Sequence, residues 1–411
     1  MTSGAGDEES SGDTDVLAGV RVVELSSYAF APAAGAVLAD WGADVVRIVR
    51  PGVGDPMLGN PVSGMDDDGV PVAYMWEILN RGKRTIGIDL ATPEARPVVA
   101  DLIGSADVFL TSLLPAARRR LALDVDDVRA INPRIVYARA SANGPRGPES
   151  GSGGFDATSF WARSGLADAA HAVSGTHTQP AMAMGDLCSG ANLAAAVVAA
   201  LFRRERTGRT AVVDVSLLSS GIWMQSASIV ASSLYDVDRL PFGHSGNPLV
   251  AIYRCGDGNF VSVAALAGDG AWQDLCTAAG RPDLLADQRF ATLTARLAHR
   301  EECVAVLDEL FAGHAQADWV ALLDGSRLPA APVRTAHSVP GDPMVRANGY
   351  VREVTAGGRT FVTTATPAQF DEAPLAVRPA PAWGAETEQV LLELGRSWDD
   401  IAALKAVGAV L

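Results

Sequence analysis

The chain has 411 residues, 48% of them hydrophobic and 20% charged. That is enough apolar material for a real core, and the length suits two domains. The net charge of −15 argues against nucleic acid or an anionic membrane as the main partner, and makes any local basic cluster more informative.

Residues 1–15 are dominated by Gly, Ser, Asp and Glu. They read as a disordered tail and not as a signal peptide, because no apolar run is present. Val20-Arg-Val-Val-Glu-Leu25 is short and rich in β-branched residues, which predicts a strand. Ala31–Trp41 is small and apolar with a proline near its start, which predicts a helix closed by Gly42. Ala43–Val49 is the next strand. Strand, helix and strand at this spacing form a βαβ unit, and so imply a parallel sheet. The first loop, Ser26–Ala31, is not glycine-rich, so it is not a dinucleotide fingerprint.

The alternation continues with a strand at Thr85–Asp89, a helix at Pro93–Gly104, a strand at Ala106–Leu110 and another at Arg134–Arg139. This predicts a doubly wound α/β domain over residues 16–235, with ligands approaching the carboxyl ends of its strands. The loops collect basic residues: Arg50, Arg81, Lys83, Arg84 and the run Arg118–Arg120. Arginine forks suit phosphates, although Arg118 and Arg119 taken singly read as solvated arginines at a helix end.

Gly185-Asp186 precedes a long run of helix formers reaching Leu201. Asp186 reads as a helix cap, with a carboxylate held ionised by the helix end and left open by the small Gly185. Cys188 falls in the same first turn, where thiol pKa values drop, but it reads as a small core residue. A strand at Ala211–Leu218 runs into an apolar helix over Ser219–Tyr235. The pattern then changes to a hairpin, Ala251–Cys255 and Phe260–Ala264, followed by helices, which predicts a smaller α+β domain over 236–340. Strand-like and then helical segments fill 341–411. No apolar run reads as able to span a bilayer, and a cytoplasmic location is expected. The four cysteines and six histidines show no metal-ligand spacing, so no metal is expected.

Several of these pieces, in this order, resemble the class III CoA-transferase family (CaiB/BaiF, formyl-CoA transferase-like). They are Leu17–Leu25, Leu38–Asp55, Asn80–Thr85, Ile131–Val136, Met184-Gly-Asp186, Leu201–Arg209, Val212–Leu217 and Trp383–Gly395. The resemblance implies a Rossmann-like large domain completed by the C-terminal segment, a smaller inserted domain, and an intertwined homodimer. It implies coenzyme A or an acyl-CoA as a substrate, with a carboxylic acid as acceptor. Asp186 takes the position of the family's catalytic aspartate, beside Gly185. Family CoA contacts fall on Arg50, Ile88, Ser112, Leu113, Arg120 and Ser141, to which the basic residues Lys83 and Arg84 are added. A glycine loop over the active site corresponds to Gly243–Pro248 and includes Gly246. The family often has Asn-Phe where Ser112-Leu113 stand, and a Gln-Ser type pair where Ala29-Phe30 stand.

The resemblance extends to α-methylacyl-CoA racemases on the same fold. These need a histidine where Phe155 stands, and a phenyl ring cannot carry a proton. Asp156 then reads as structural, a cap on the helix carrying Trp161. A third reading is a non-catalytic CoA-binding subunit of a hetero-oligomer. Phe155, Phe160, Trp161 and Trp223 are candidates for an apolar substrate pocket, against a core role that suits large aromatics.

Overall fold

The structure, a computed structural model, describes residues 15–58, 72–238, 246–265 and 269–411. Six parallel strands form the central sheet: β1 (Arg21–Leu25), β2 (Asp44–Val49), β3 (Arg84–Gly87), β4 (Val108–Thr111), β5 (Val136–Ser141) and β6 (Val212–Ser216). Their order is β3-β2-β1-β4-β5-β6. This is the doubly wound Rossmann order, and its direction reverses between β1 and β4.

Alternate residues of each strand enter opposite cores, as the two-residue period requires. On one face Val22, Val45, Val108 and Val136 pack with Phe30, Leu38, Leu193 and Val197. Those partners lie on the helices Phe30–Asp40 and Met184–Thr207. Gly190 lets these two helices approach closely, since a Cβ there would sit 2.6 Å from that of Ala33. On the other face Val23, Val46, Ile86, Phe109 and Tyr137 pack with Val98, Leu102, Val128, Leu391 and Ile401. The C-terminal segment thus completes the second face, and Val410 bridges to Ile88 beyond the end of β3.

The helix Met184–Thr207 corrects the expectation that no apolar run could span a bilayer. It has 24 residues with a mean hydropathy of 1.5 over its most apolar stretch, enough by length and composition. Its burial of Leu193, Ala194, Val197 and Leu201 against the sheet explains the apolar content: it is a core helix of this domain.

The chain divides into two compact units. The larger holds residues up to Leu166 together with Gln179–Gln225 and Pro340–Leu411; the smaller holds Ala167–Thr178 and Ser226–Val339. The single helix expected over Ser219–Tyr235 is two helices, Leu217–Met224 and Ser226–Tyr235, and the units part at Gln225 between them. The smaller unit carries a three-stranded antiparallel sheet of Val250–Arg254, Phe260–Ala264 and Ala330–Pro332. Its core is aromatic, with Tyr253 stacked on Phe311 at 4.7 Å and Trp319 donating its indole N–H to the Phe311 carbonyl at 2.8 Å.

Candidate active site

The topological switch point between β1 and β4 opens into a cleft of about 730 Å³ within the larger unit. Its walls come from segments following three neighbouring strands: Ser27, Tyr28 and Phe30 after β1, Ser112, Leu113 and Leu114 after β4, and Ser141 and Ala142 at the end of β5. Carboxyl-end crevices of this kind are where open α/β sheets bind ligands. Ser112 Oγ accepts the backbone N–H of Ser27 at 3.2 Å, tying two of these loops together. Ser141 Oγ accepts the Gly144 N–H at 3.1 Å and so shapes the third.

Asp186 lies on the wall of this cleft. It is not the N-cap expected from sequence. The helix begins at Met184, the cap is Ala183, and Asp186 sits in the first turn. Ala183 adopts φ of 55°, in the left-handed region that a side chain disfavours. The small Gly185 serves packing and not access. A Cβ there would lie 2.3 Å from Phe160 Cγ and 2.4 Å from Asp156 Oδ1, so only glycine lets the helix start lie on that segment.

Asp156 supplies the cap that Ala183 cannot. It opens a π-helical turn, Asp156–Ala162, and its Oδ2 accepts the Gly185 N–H at 3.0 Å. It therefore caps the helix that carries Asp186, and not the one carrying Trp161 as expected. The orphan N–H groups of a helix start need such an acceptor. The Gly185 N–H is consequently committed, and is no oxyanion donor.

The electrostatics also reverse an expectation. The helix end was expected to lower the Asp186 pKa; instead it is pushed up to about 7, first by burial and then by the negative charge of Asp156. Taking a carboxylate from water costs more than one helix end returns. Asp156 is itself raised by burial, against the Gly185 and Asp186 N–H groups that favour its ionised form. Cys188 is pushed up by burial and by Asp156, so it is not the low-pKa thiol that its helical position alone suggests.

The basic residues divide by the end of the sheet they occupy. Lys83 and Arg84 enter β3 at its amino end, and Arg84 stays at that edge, opposite the cleft, while the Lys83 side chain runs inward. Lys83 is buried, with Nζ 2.8 Å from Glu24 Oε2 and 2.9 Å from the Pro32 carbonyl. Arg84 pairs with Asp44 at 2.7 Å and Glu393 at 2.8 Å. Arg81 pairs with buried Asp40 at 2.9 Å. Ile88 is core, and Arg50 is exposed beside Asp89 at 3.6 Å. Arg120 is exposed and does not line the cleft; Arg118 and Arg119 do. Arg118 donates to the Leu113 carbonyl at 2.6 Å and to Asp124 at 3.2 Å. Arg139, also in the wall, forms a two-pronged pair with Asp214 at 2.6 and 2.9 Å. Arg119 has no side-chain partner among the described residues.

The structure thus gathers Ser112, Leu113, Ser141, Phe155 and Asp186 in one cleft. It places Lys83, Arg84, Ile88, Arg50, Arg120 and Trp161 outside its walls. Gly246 belongs to the smaller unit, and Gly243 lies outside the described residues. Sequence reasoning missed Tyr28, Asp124, Arg139 and Asp214 and undervalued Asp156 and Arg119. Position after a strand was the available signal for Tyr28, and position in the carboxyl half of one for Arg139; none pointed from Asp156 to Gly185, 29 residues away.

The family model described as CoA-transferase family III matches residues 17–387. An (R)-2-hydroxy-4-methylpentanoate CoA-transferase of Clostridioides difficile is 29% identical, over 95% of this chain and 98% of its own. A probable fatty acyl-CoA transferase of Mycobacterium tuberculosis is 31% identical, over 92% of this chain and 97% of its own. The crystal structure of a CAIB/BAIF family protein from Brucella suis superposes with a TM-score of 0.80 at 27% identity, covering 92% of this chain and 99% of that one. The chain belongs to CoA-transferase family III.

Proposed function

We propose that this chain moves coenzyme A from an acyl-CoA donor to a carboxylic acid, with Asp186 as the covalent nucleophile. The observation that carries this reading is the Asp186 carboxyl in the wall of the switch-point cleft, raised to about 7. A carboxylate of raised pKa is a stronger nucleophile than an ordinary one, and at neutral pH a large fraction of it is ionised.

The steps follow from one carboxylate. Asp186 attacks the donor thioester carbon, expelling the CoA thiolate and leaving a mixed anhydride. The thiolate attacks the aspartyl carbonyl, releasing the donor's acid and forming an aspartyl-CoA thioester. The acceptor carboxylate attacks that thioester, giving a second anhydride and the thiolate again. The thiolate then attacks the acceptor's acyl carbon, which yields the new acyl-CoA and returns Asp186 to its carboxylate. The anhydrides lie above the thioesters, but the starting and final thioesters match, and one hard exchange is split into easier steps, which is the gain of covalent catalysis. Arg119, in the cleft wall and without a side-chain partner among the described residues, suits a CoA phosphate.

A racemase finds less support. It needs a second proton carrier facing the α-carbon. Phe155 has none to give, and Asp156 has Oδ1 buried and Oδ2 held by Gly185. The intertwined homodimer belongs to this proposal. Exposed apolar side chains support it, with Trp223 72% exposed in the larger unit, and Leu234 75% and Tyr235 74% in the smaller.

Asp186→Ala tests the assignment. It should lower transfer by about 10³-fold or more while CoA still binds, and mass spectrometry should lose the aspartyl adduct that forms in the unchanged protein. Transfer within tenfold of the parent rejects Asp186 as nucleophile. A purified parent that binds acyl-CoA without exchange favours the non-catalytic subunit.

A further inference from the structure

The aromatic residues considered from sequence as a pocket separate in three dimensions. Phe160 is 2% exposed and belongs to the core, and Trp161 packs against that same core. Trp223 does not line the cleft. Phe155 does, and it meets Tyr28, a residue not anticipated, edge to face with ring centroids 5.3 Å apart. Tyr28 reaches this position from a left-handed backbone with φ of 63°, which a bulky side chain adopts only when its surroundings hold it there. Both rings stay open, Tyr28 at 46% and Phe155 at 58% exposure. Phe155 directly precedes Asp156, whose carboxylate holds the start of the Asp186 helix. The paired rings therefore share the cleft with the Asp186 carboxyl.

The charges of the cleft limit what else can lie there. Of its three arginines, Arg118 is spent on Asp124 and the Leu113 carbonyl, and Arg139 on Asp214. Arg119 alone is uncommitted among the described residues, and CoA brings several phosphate charges of its own. A second carboxylate on the acyl group would meet the like charge of Asp186, and among the described residues of the cleft only Arg119, for which the CoA phosphates compete, is free to offset it.

We infer, on the transferase reading, that Tyr28 and Phe155 form an aromatic shelf that selects monocarboxylic acids with a bulky apolar body, aryl above all, over dicarboxylic acids. Offset and edge-to-face contacts favour a third ring against such a pair.

The test is isotope exchange between an acyl-CoA and its own labelled acid, which requires no knowledge of the natural donor. Three pairs suffice: 3-phenylpropanoyl, acetyl and glutaryl. The phenyl pair should exceed the glutaryl pair at least about tenfold in kcat/KM. Phe155→Ala and Tyr28→Ala should each lower the phenyl-over-acetyl ratio about tenfold, an effect of the size expected from losing one aromatic contact face. Tyr28→Phe and Phe155→Leu, which keep an apolar wall, should hold that ratio within about threefold and serve where an alanine variant fails to fold. A glutaryl rate equal to or above the phenyl rate overturns the inference, and so does a phenyl-over-acetyl ratio unmoved by either alanine. Exchange with no pair at all overturns the transferase reading beneath it.

Discussion

Two groups of charge lie in the larger unit, one buried and one partly buried, and they are built on opposite principles. Beneath the loop after β1, Glu24, Arg47, Asp55 and Lys83 form a cluster of alternating sign. Lys83 lies 2.8 Å from Glu24, Arg47 Nε lies 3.5 Å from Glu24, and Arg47 also pairs with Asp55. Asn80 and Ser26 take up further valences. Every charge has an opposite neighbour, so the cluster is a brace. Beside the cleft, Asp156 and Asp186 are a like-charged pair, and burial first and then the Asp156 charge push Asp186 up to about 7. The first group spends its electrostatics on holding the fold. The second leaves a carboxyl out of balance, which suits the reactive role proposed for Asp186.

The largest stability effect should come from breaking the brace. Lys83→Met leaves two buried carboxylates, Glu24 and Asp55, sharing the single cation Arg47, and should cost about 3–5 kcal/mol, the range for removing one partner of a buried pair. Chemical denaturation reads it; a loss under 1 kcal/mol would mean that the cluster is not a structural unit.

Relieving the unbalanced site should act the other way. The Asp186 pKa is raised on folding, from 3.8 to about 7. The folded state therefore holds a proton that the unfolded state has released, and stability falls as pH rises through that window. Asp186→Asn removes this fall. It should equal the parent near pH 4 and exceed it above pH 7 by about 1–3 kcal/mol, after allowance for partial solvent access. A destabilised Asn variant at pH 8 contradicts the balance of charge described above.

Asp156→Asn keeps an oxygen for the Gly185 N–H but removes the charge. If Asp186 is the nucleophile, the acid limb of the pH–rate profile reports its carboxyl, which burial and Asp156 raise, and this limb should move toward the ordinary carboxylate range. An unmoved limb would leave burial as the whole cause. The smallest effect should be at Ala183, whose φ of 55° is relaxed by glycine. Ala183→Gly should be neutral or stabilising by up to about 1 kcal/mol, as thermal unfolding would show.

Much of the fold was legible along the chain. β-branched runs, small apolar helices and their alternation specified a parallel doubly wound sheet, because periodicity and turn chemistry are local properties. Gly185-Asp186 announced itself through the helix that follows, and the ordered landmarks identified the family. What local reading could not supply was direction and partnership. Lys83 and Arg84 looked like ligands for phosphate until β3 placed them at its amino end and Glu24 and Asp44 engaged them. Asp186 looked like its own helix's cap until Asp156 crossed 29 residues of sequence to take that role. Burial, the like charge beside Asp186, and the meeting of Tyr28 with Phe155 all depend on distances between segments remote in sequence. Composition and spacing determined which chemical groups this protein has; only packing decided which of them neutralise one another and which are left free to react.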